Sequence, residues 1–485
     1  MFNPRTILRI MGTLLFIAAL MFAVCLGVAL FYGEERLDYF IIPIAVSVGV
    51  GLLCRLVARG GASAISRRDG YLCVSLSWTL FAAVGVLPFI ISGYEPRLAQ
   101  AFFESMSGFT TTGATALDNI DQLPHSILLW RSLTHWLGGM GIVFFTLVIL
   151  PGMGTGSLKL FSAESTGLKM EKLHPRVSTT ARWLWAVYLF LTVSCTTAYY
   201  VAGMSLFDAV NHAFSTIATG GFSTHQDSIA WFHSPTIEST VTVFMFLSGV
   251  NFTLIYMFFI KRRFKAVLRD SELRAYIAIV LGASATLAVI LVVWRDFTPV
   301  DALRESLFYC TSLQTTTGFT TIDPAAWPPA TWLLLMTVCF FGACSGSTSG
   351  GVKSVRILTA FKAVMGQFRS LIHPNAILPV RLNGNPVSSH VVHTVFAMIA
   401  AFIILAFFGT VAYLAMGMPL LDAFSCTLTM LTNAGPAFGH EMGPLSSWSQ
   451  MNDAGLWLGS FLMLAGRLEI FSLLLPFVPA FWKDQ

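Results

Sequence analysis

The sequence predicts an all-α polytopic membrane protein, built from four tandem repeats behind two leading helices. Three observations predict it. First, the chain of 485 residues is 55% hydrophobic and only 11% charged, with a mean hydropathy of +0.72. A soluble body of that size needs far more charged surface. Second, apolar runs of about 18 residues or more, each able to cross a bilayer, recur along the whole length. Third, a short semi-polar segment ending in a Thr/Gly turn returns four times between those runs.

Taken in order, spans are expected near 7–32, 39–58, 71–93, 126–150, 182–203, 236–260, 275–294, 328–363, 391–417 and 454–481, which makes ten full crossings. The first span is long and lacks a small-residue cleavage site, so a cleaved signal peptide is not expected. With Arg5 and Arg9 in the cytoplasm, ten crossings put 23 of the 29 Lys and Arg residues on that side. They cluster at 55–68, 159–182, 261–274 and 353–381, and end at Lys483. That asymmetry is the positive-inside signature, and it places both termini in the cytoplasm. The outer side receives 17 of the 24 acidic residues, among them Glu34, Glu35, Asp118, Asp121, Asp227, Asp323 and Glu441. An acidic outer face concentrates cations at the mouth of a pathway; topology alone explains the same bias, and both readings hold together. The eight cysteines are scattered through apolar segments with no metal, redox or disulfide spacing, and read as small core residues.

The repeat is the most informative feature. Its short elements are "AFFESMSGFTTTGAT" (101–115), "FDAVNHAFSTIATGGFST" (207–224), "ESLFYCTSLQTTTGFTT" (305–321) and "LDAFSCTLTMLTNAGPAFG" (421–439). Each lies between two long spans and is too short to cross the membrane itself. The expected units are 1–68 for the leading helices, then repeats at 69–180, 181–272, 273–386 and 387–485. Non-helical backbone at membrane depth is tolerated only where it is buried in protein or lines a water-filled path. A half-length helix followed by an extended strand is the geometry of a re-entrant pore loop. Its helix aims a partially negative C-terminal end at the membrane centre, where a cation is favoured. The strand presents backbone carbonyls that replace a cation's hydration shell, and glycine allows the positive φ this needs. Four such loops in pseudo-fourfold arrangement make a ring of oxygens from one chain. The expected ring residues are Thr111, Thr112 and Gly113; Thr316, Thr317 and Gly318; and Asn433, Ala434 and Gly435. The second loop is ambiguous. Matching "TGGF" to "TTGF" sets Gly221 opposite Gly318, whereas counting from the helix favours Gly220, so Thr219, Gly220 and Gly221 all remain.

These loops, "TTTG", "TGGF", "TTGF" and "NAGP", together with the two extra leading spans, resemble the Trk/Ktr/HKT superfamily of potassium and sodium transporters over essentially the whole chain. Its bacterial TrkH branch is the most similar in length and layout. The resemblance implies potassium as the transported ion, no bound cofactor, an inner-membrane homodimer, and regulation by a cytosolic TrkA-like nucleotide-binding ring. Sodium-selective plant members carry serine at the first-loop glycine; this chain has Gly113, which argues for potassium.

Two further features lie below the loops. Arg467, in "LMLAGRLEIFSLLLP", is an ionisable residue deep in the last span, a functional site by default. It reads as a pore-facing charge, or as a packing residue that contacts carbonyls. Glu469, two positions on, falls on another helix face and is the one plausible buried carboxylate. The stretch "FFGACSGSTSGGVKS" (340–354) imitates a phosphate-binding loop, but Gly351 is followed by Val352 rather than lysine and no strand precedes it. It reads either as a tight helix contact through small residues or as an unwound loop crossing beneath the ring. The family carries a gating loop at the equivalent place, which would comprise Gly342, Gly346, Ser347, Thr348, Ser349, Gly350, Gly351 and Lys353. The basic loops at 159–182, 261–274 and 353–381 are the expected docking surface for the cytosolic ring. Attraction to anionic membrane lipid, or the setting of topology alone, accounts for the same charges equally well. Nucleic acid is not an expected partner. The competing reading is a secondary cation transporter, potassium coupled to H+ or Na+, cycling by alternating access. An embedded enzyme would need a His/Asp or Cys/His constellation, and His135, His212 and His390 read as isolated.

Overall fold

The computed structural model describes residues 3–59, 66–95, 97–141, 177–295, 297–324, 327–376, 378–439, 442–443 and 446–482. Six described helices are long and apolar enough to cross a membrane: Pro4–Tyr32, Asp38–Val57, Arg68–Ser92, Ala181–Ala202, Ser271–Trp294 and Ser389–Ala415. They are the two leading helices and the first span of each repeat. Local sequence starts and stops them. Asn3 accepts from the Thr6 amide and Pro4 opens the first helix, which ends at left-handed Gly33. Ser66 and Asp69 form a reciprocal capping box ahead of the third.

Of the ten expected crossings, the described second spans are bent or broken; an interruption was expected only in the third, at 342–351. Pro235–Ser248 and Phe252–Phe259 meet at a bend of 101°, and Asp453–Arg467 turns into Phe471–Phe477 at 113°. In the third repeat, Pro329–Phe341 and Ser354–Ile372 are separated by an unwound loop. In the first, the helix His125–Gly139 is described, and residues 142–150 of the expected 126–150 span lie outside the described residues, as do Lys159 to Arg176, Glu441 and Lys483. Each bend has a local cause. Asn251 leaves the helix and caps the next, accepting from the Thr253 amide. Glu469 and Ile470 both take positive φ, +52° and +60°, which no helix can continue.

Four half-helices sit between the spans of their own repeats: Leu98–Phe109, Leu206–Ile217, Pro299–Gln314 and Leu420–Thr432. Ser205 and Thr298 cap the second and third by accepting from Asp208 and Asp301 amides. Most of their polar residues are buried, with Ser107, Ser215, Ser312 and Thr429 fully enclosed. The leading helices are latched to the first repeat through Glu34, which accepts from the Ser126 amide at 2.9 Å and the Tyr39 hydroxyl at 2.6 Å. No disulfide joins any of the eight cysteines; seven are buried, Cys54 being partly exposed.

Candidate ion-conduction site

Each half-helix ends in the same turn. At the helix end one residue takes left-handed backbone: Thr111 at φ +54°, Thr219 at +55°, Thr316 at +56° and Asn433 at +57°. Its amide bonds back three residues, and the next amide bonds back five: Thr112 to Ser107, Gly220 to Ser215, Thr317 to Ser312 and Ala434 to Thr429, at 2.8–3.0 Å. That pair of bonds is the Schellman motif. Two residues beyond the left-handed position comes a glycine, again with positive φ: Gly113 (+83°), Gly221 (+88°), Gly318 (+80°) and Gly435 (+85°). The second-loop ambiguity is thereby resolved, with Gly221 as the counterpart of Gly318 and Gly220 of Thr317.

The four loops close on one another. A Cβ on Gly113 would lie 2.0 Å from the Gly220 carbonyl oxygen, and one on Gly221 would lie 2.0 Å from that of Thr317. One on Gly318 would meet the Ala434 oxygen at 2.1 Å, and one on Gly435 the Thr112 oxygen at 2.5 Å. Loop 1 therefore abuts loop 2, 2 abuts 3, 3 abuts 4 and 4 returns to 1. Glycine meets both the positive φ and the close approach at each position without strain. The Asn433 side-chain Nδ2 donates to Thr112 Oγ1 of the adjoining loop at 3.0 Å.

Buried polar side chains hold the outgoing strands. Glu104 accepts from the Ala116 amide (2.8 Å) and pairs with Arg131 (2.8 Å), both side chains being almost fully enclosed. Arg131 also donates to the Ser223 carbonyl at 2.9 Å and lies over the Phe222 ring. His212 bonds Ser223 Oγ at 2.9 Å, Asp208 accepts from Thr224, Glu305 from Thr321, and Asp422 from the Met442 amide. Asp208, Glu305 and Asp422 all precede their loop glycine by thirteen positions. Sequence reasoning missed them, although that matched offset was readable. It also took Glu469 as the one buried carboxylate and His135 and His212 as isolated. Instead, the two histidines face the second loop, with His135 Nδ1 3.0 Å from Ser215 Oγ; His390 is exposed.

At the outer rim, His225 Nδ1 meets Asp121 at 2.7 Å, its Nε2 lies 3.6 Å from Asp208, and its ring stacks on Trp231. Burial disfavours the imidazolium there, but Asp208 and Asp121 outweigh it and raise the His225 pKa. A small cavity above the ring is lined by Gly113, Gly221, Gly318, Gly435, Arg131 and His225.

On the other side, the 342–353 loop crosses directly beneath the half-helix ends. The Thr348 hydroxyl donates to the Ile217 carbonyl (2.9 Å), the Gly350 amide to Thr316 Oγ1 (2.7 Å) and the Gly351 amide to the Thr432 carbonyl (3.0 Å). It thus touches repeats 2, 3 and 4. Ser345 is bonded to Glu272, and Lys353 Nζ folds back onto the Ser349 carbonyl at 2.5 Å. Arg467 donates to the Thr348 carbonyl (3.0 Å) and to Gly138 (2.6 Å), joining the loop to repeat 1. Glu469 pairs with Arg356 at 2.6 Å. The loop, Arg467 and Glu469 line a cavity of about 990 Å³ that also reaches Asn433. Among the described residues no group of three or more His, Cys, Asp or Glu is placed to hold a metal.

A closed ring of main-chain groups at the centre of an apolar helical bundle defines a membrane transporter of small ions. Residues 40–484 match the TrkH family of cation transport proteins, and the chain belongs to that family. It is 38% identical to the Trk system potassium uptake protein TrkH of Salmonella typhimurium, and 38% to that of Escherichia coli K12, over 99% of each chain. It is 34% identical to the Trk system potassium uptake protein TrkG of Escherichia coli K12, again over 99% of each chain. The crystal structure of the potassium transporter TrkH from Vibrio parahaemolyticus superposes with a TM-score of 0.87 at 35% identity, covering 99% of this chain and all of that one.

Proposed function

We propose that this chain takes up potassium across a bacterial inner membrane through a gated, channel-like pore. The observation that carries the reading is the closed ring of four equivalent loops. In it, the carbonyls of Thr112, Gly220, Thr317 and Ala434 pack against the glycines of their neighbours. Alternating left-handed positions on either side of each carbonyl favour a common direction for the oxygens, which then substitute for water around a dehydrated ion. Potassium, rather than another cation, is supported by the names of the relatives and by Gly113. The 342–353 loop is the gate: it lies across the exit and is held by hydrogen bonds that can be exchanged one at a time. Arg467 places a positive charge at the same level, opposing cation dwell while the loop is in place. Both termini are cytoplasmic, the assembly is a homodimer, and a TrkA-like nucleotide-binding ring docks on the basic loops at 261–274 and 353–381.

The test is ion flux into proteoliposomes holding the purified chain. Rubidium or potassium uptake, with reversal potentials that follow the potassium gradient, is expected. Gly113→Ser is expected to raise sodium permeability relative to potassium by about tenfold, roughly 1.4 kcal/mol of lost discrimination. Flux strictly coupled to protons or sodium, without unitary current events, would establish the alternating-access reading instead.

A further inference from the structure

The four loops differ at the position just before the ring glycine. Thr112 and Thr317 carry hydroxyls, each 2.8 Å from the hydroxyl two residues earlier, Thr110 and Thr315. Ala434 carries a methyl, but loop 2 has Gly220 and so no side chain with which to stiffen its turn. The space is filled from another repeat. His135, on the helix His125–Gly139 of repeat 1, stands against the loop so closely that a Cβ on Gly220 would lie 2.2 Å from its Nδ1 and 2.5 Å from its Cγ. The imidazole is fully buried and stacks on Phe222, with centroids 4.1 Å apart and planes 11° apart. Its Nδ1 is 3.0 Å from the hydroxyl of Ser215, the residue whose carbonyl accepts the Gly220 amide. One ring thus touches the residue before the glycine, the aromatic after it, and the half-helix residue that closes the turn.

Shape alone does not account for an imidazole. A phenyl ring of similar shape would fill the same space without a buried polar nitrogen to satisfy. What the imidazole supplies and a phenyl would not is the bond to Ser215.

We propose that His135 is a positioning residue for the second loop: its ring replaces the missing side chain at position 220 and fixes the Gly220 carbonyl in the ring of oxygens. That carbonyl is the one against which Gly113 packs, so a lapse in loop 2 is passed directly to loop 1. The proposal rests on reading the loops as a selectivity filter, and its test separates the two claims.

The full-length protein is reconstituted in bilayers, and the Na+/K+ permeability ratio is read from reversal potentials. Enlarging the space with His135→Ala is expected to raise the ratio about threefold to tenfold, in line with coupling energies between contacting residues. His135→Gln keeps a group able to bond Ser215 and is expected to recover most of the wild-type ratio, whereas His135→Phe is not. Gly220→Ala alone is expected to abolish selective transport, and His135→Ala in the same chain to restore part of it. A ratio for His135→Ala within about twofold of wild type overturns the proposal. If that variant does not fold, equal ratios for His135→Gln and His135→Phe overturn it. Gly113→Ser, measured in parallel, tests the filter itself: an unchanged ratio there sinks the filter reading, independently of His135.

Discussion

Three of the four left-handed turn residues are threonines, for which positive φ is a genuine steric outlier. Each such residue costs on the order of 1–3 kcal/mol; the Schellman bonds and the closed ring hold them there. Thr219 is the cleanest probe, since among the described residues its hydroxyl bonds only the adjacent Ala218 carbonyl. Relief of left-handed strain outweighs the roughly 0.5–1 kcal/mol of extra chain entropy that glycine brings. Thr219→Gly is therefore expected to raise stability by about 1 kcal/mol, seen as a higher thermal midpoint in detergent. Thr316→Gly should gain less, because the Thr316 hydroxyl also accepts from Gly350. The glycines of the ring were legible because the repeat aligned them. The strain beside them was not, since threonine gives no sign of a left-handed backbone. Arg467 was legible as an intramembrane charge, but its carbonyl partners, Thr348 and Gly138, come from segments more than a hundred residues away.

Among the elements, the 342–353 loop was signalled by its run of glycines and serines, which left a tight helix contact open as well; the choice of an unwound loop drew on the family resemblance. The bends at 249–251 and 468–470 were hidden. Leu468, Glu469 and Ile470 read as ordinary helix, and only the pairing of Glu469 with Arg356, from the helix that follows the loop, explains why the last span turns there. Glu469→Ala is expected to cost about 2 kcal/mol, less than a fully buried pair because Glu469 remains 20% exposed. A depressed thermal midpoint and faster proteolysis near residue 470 would report it. Deleting residues 345–350 removes the contacts to Glu272, Ile217 and Thr316 together. Potassium flux without any cytosolic partner is expected to rise, and unchanged flux in correctly folded protein would rule the loop out as a gate.

For the molecule as a whole, the pseudo-fourfold plan followed from counting repeats, whereas the links between repeats did not, because each depends on which side chain meets which neighbour. Asp121 of repeat 1 and His225 and Asp208 of repeat 2 form one such link at the outer rim. Because the folded protein raises the His225 pKa, this link contributes fully below about pH 6.5, the ordinary imidazole value. Its contribution is lost as pH climbs through the raised value. Thermal midpoints measured from pH 6 to pH 9 should fall across that window, and His225→Gln should remove that part of the fall. The closed ring has a further consequence, for inheritance. A channel assembled from four copies of one subunit must accept every coding change four times, at every quarter of its opening. Here each quarter has its own codons and its own supporting residues, from Thr112 with Thr110 to Gly220 against His135. On the proposed filter reading, such a gene can alter its preference among ions one quadrant at a time, and each step leaves three quadrants intact for selection to work with.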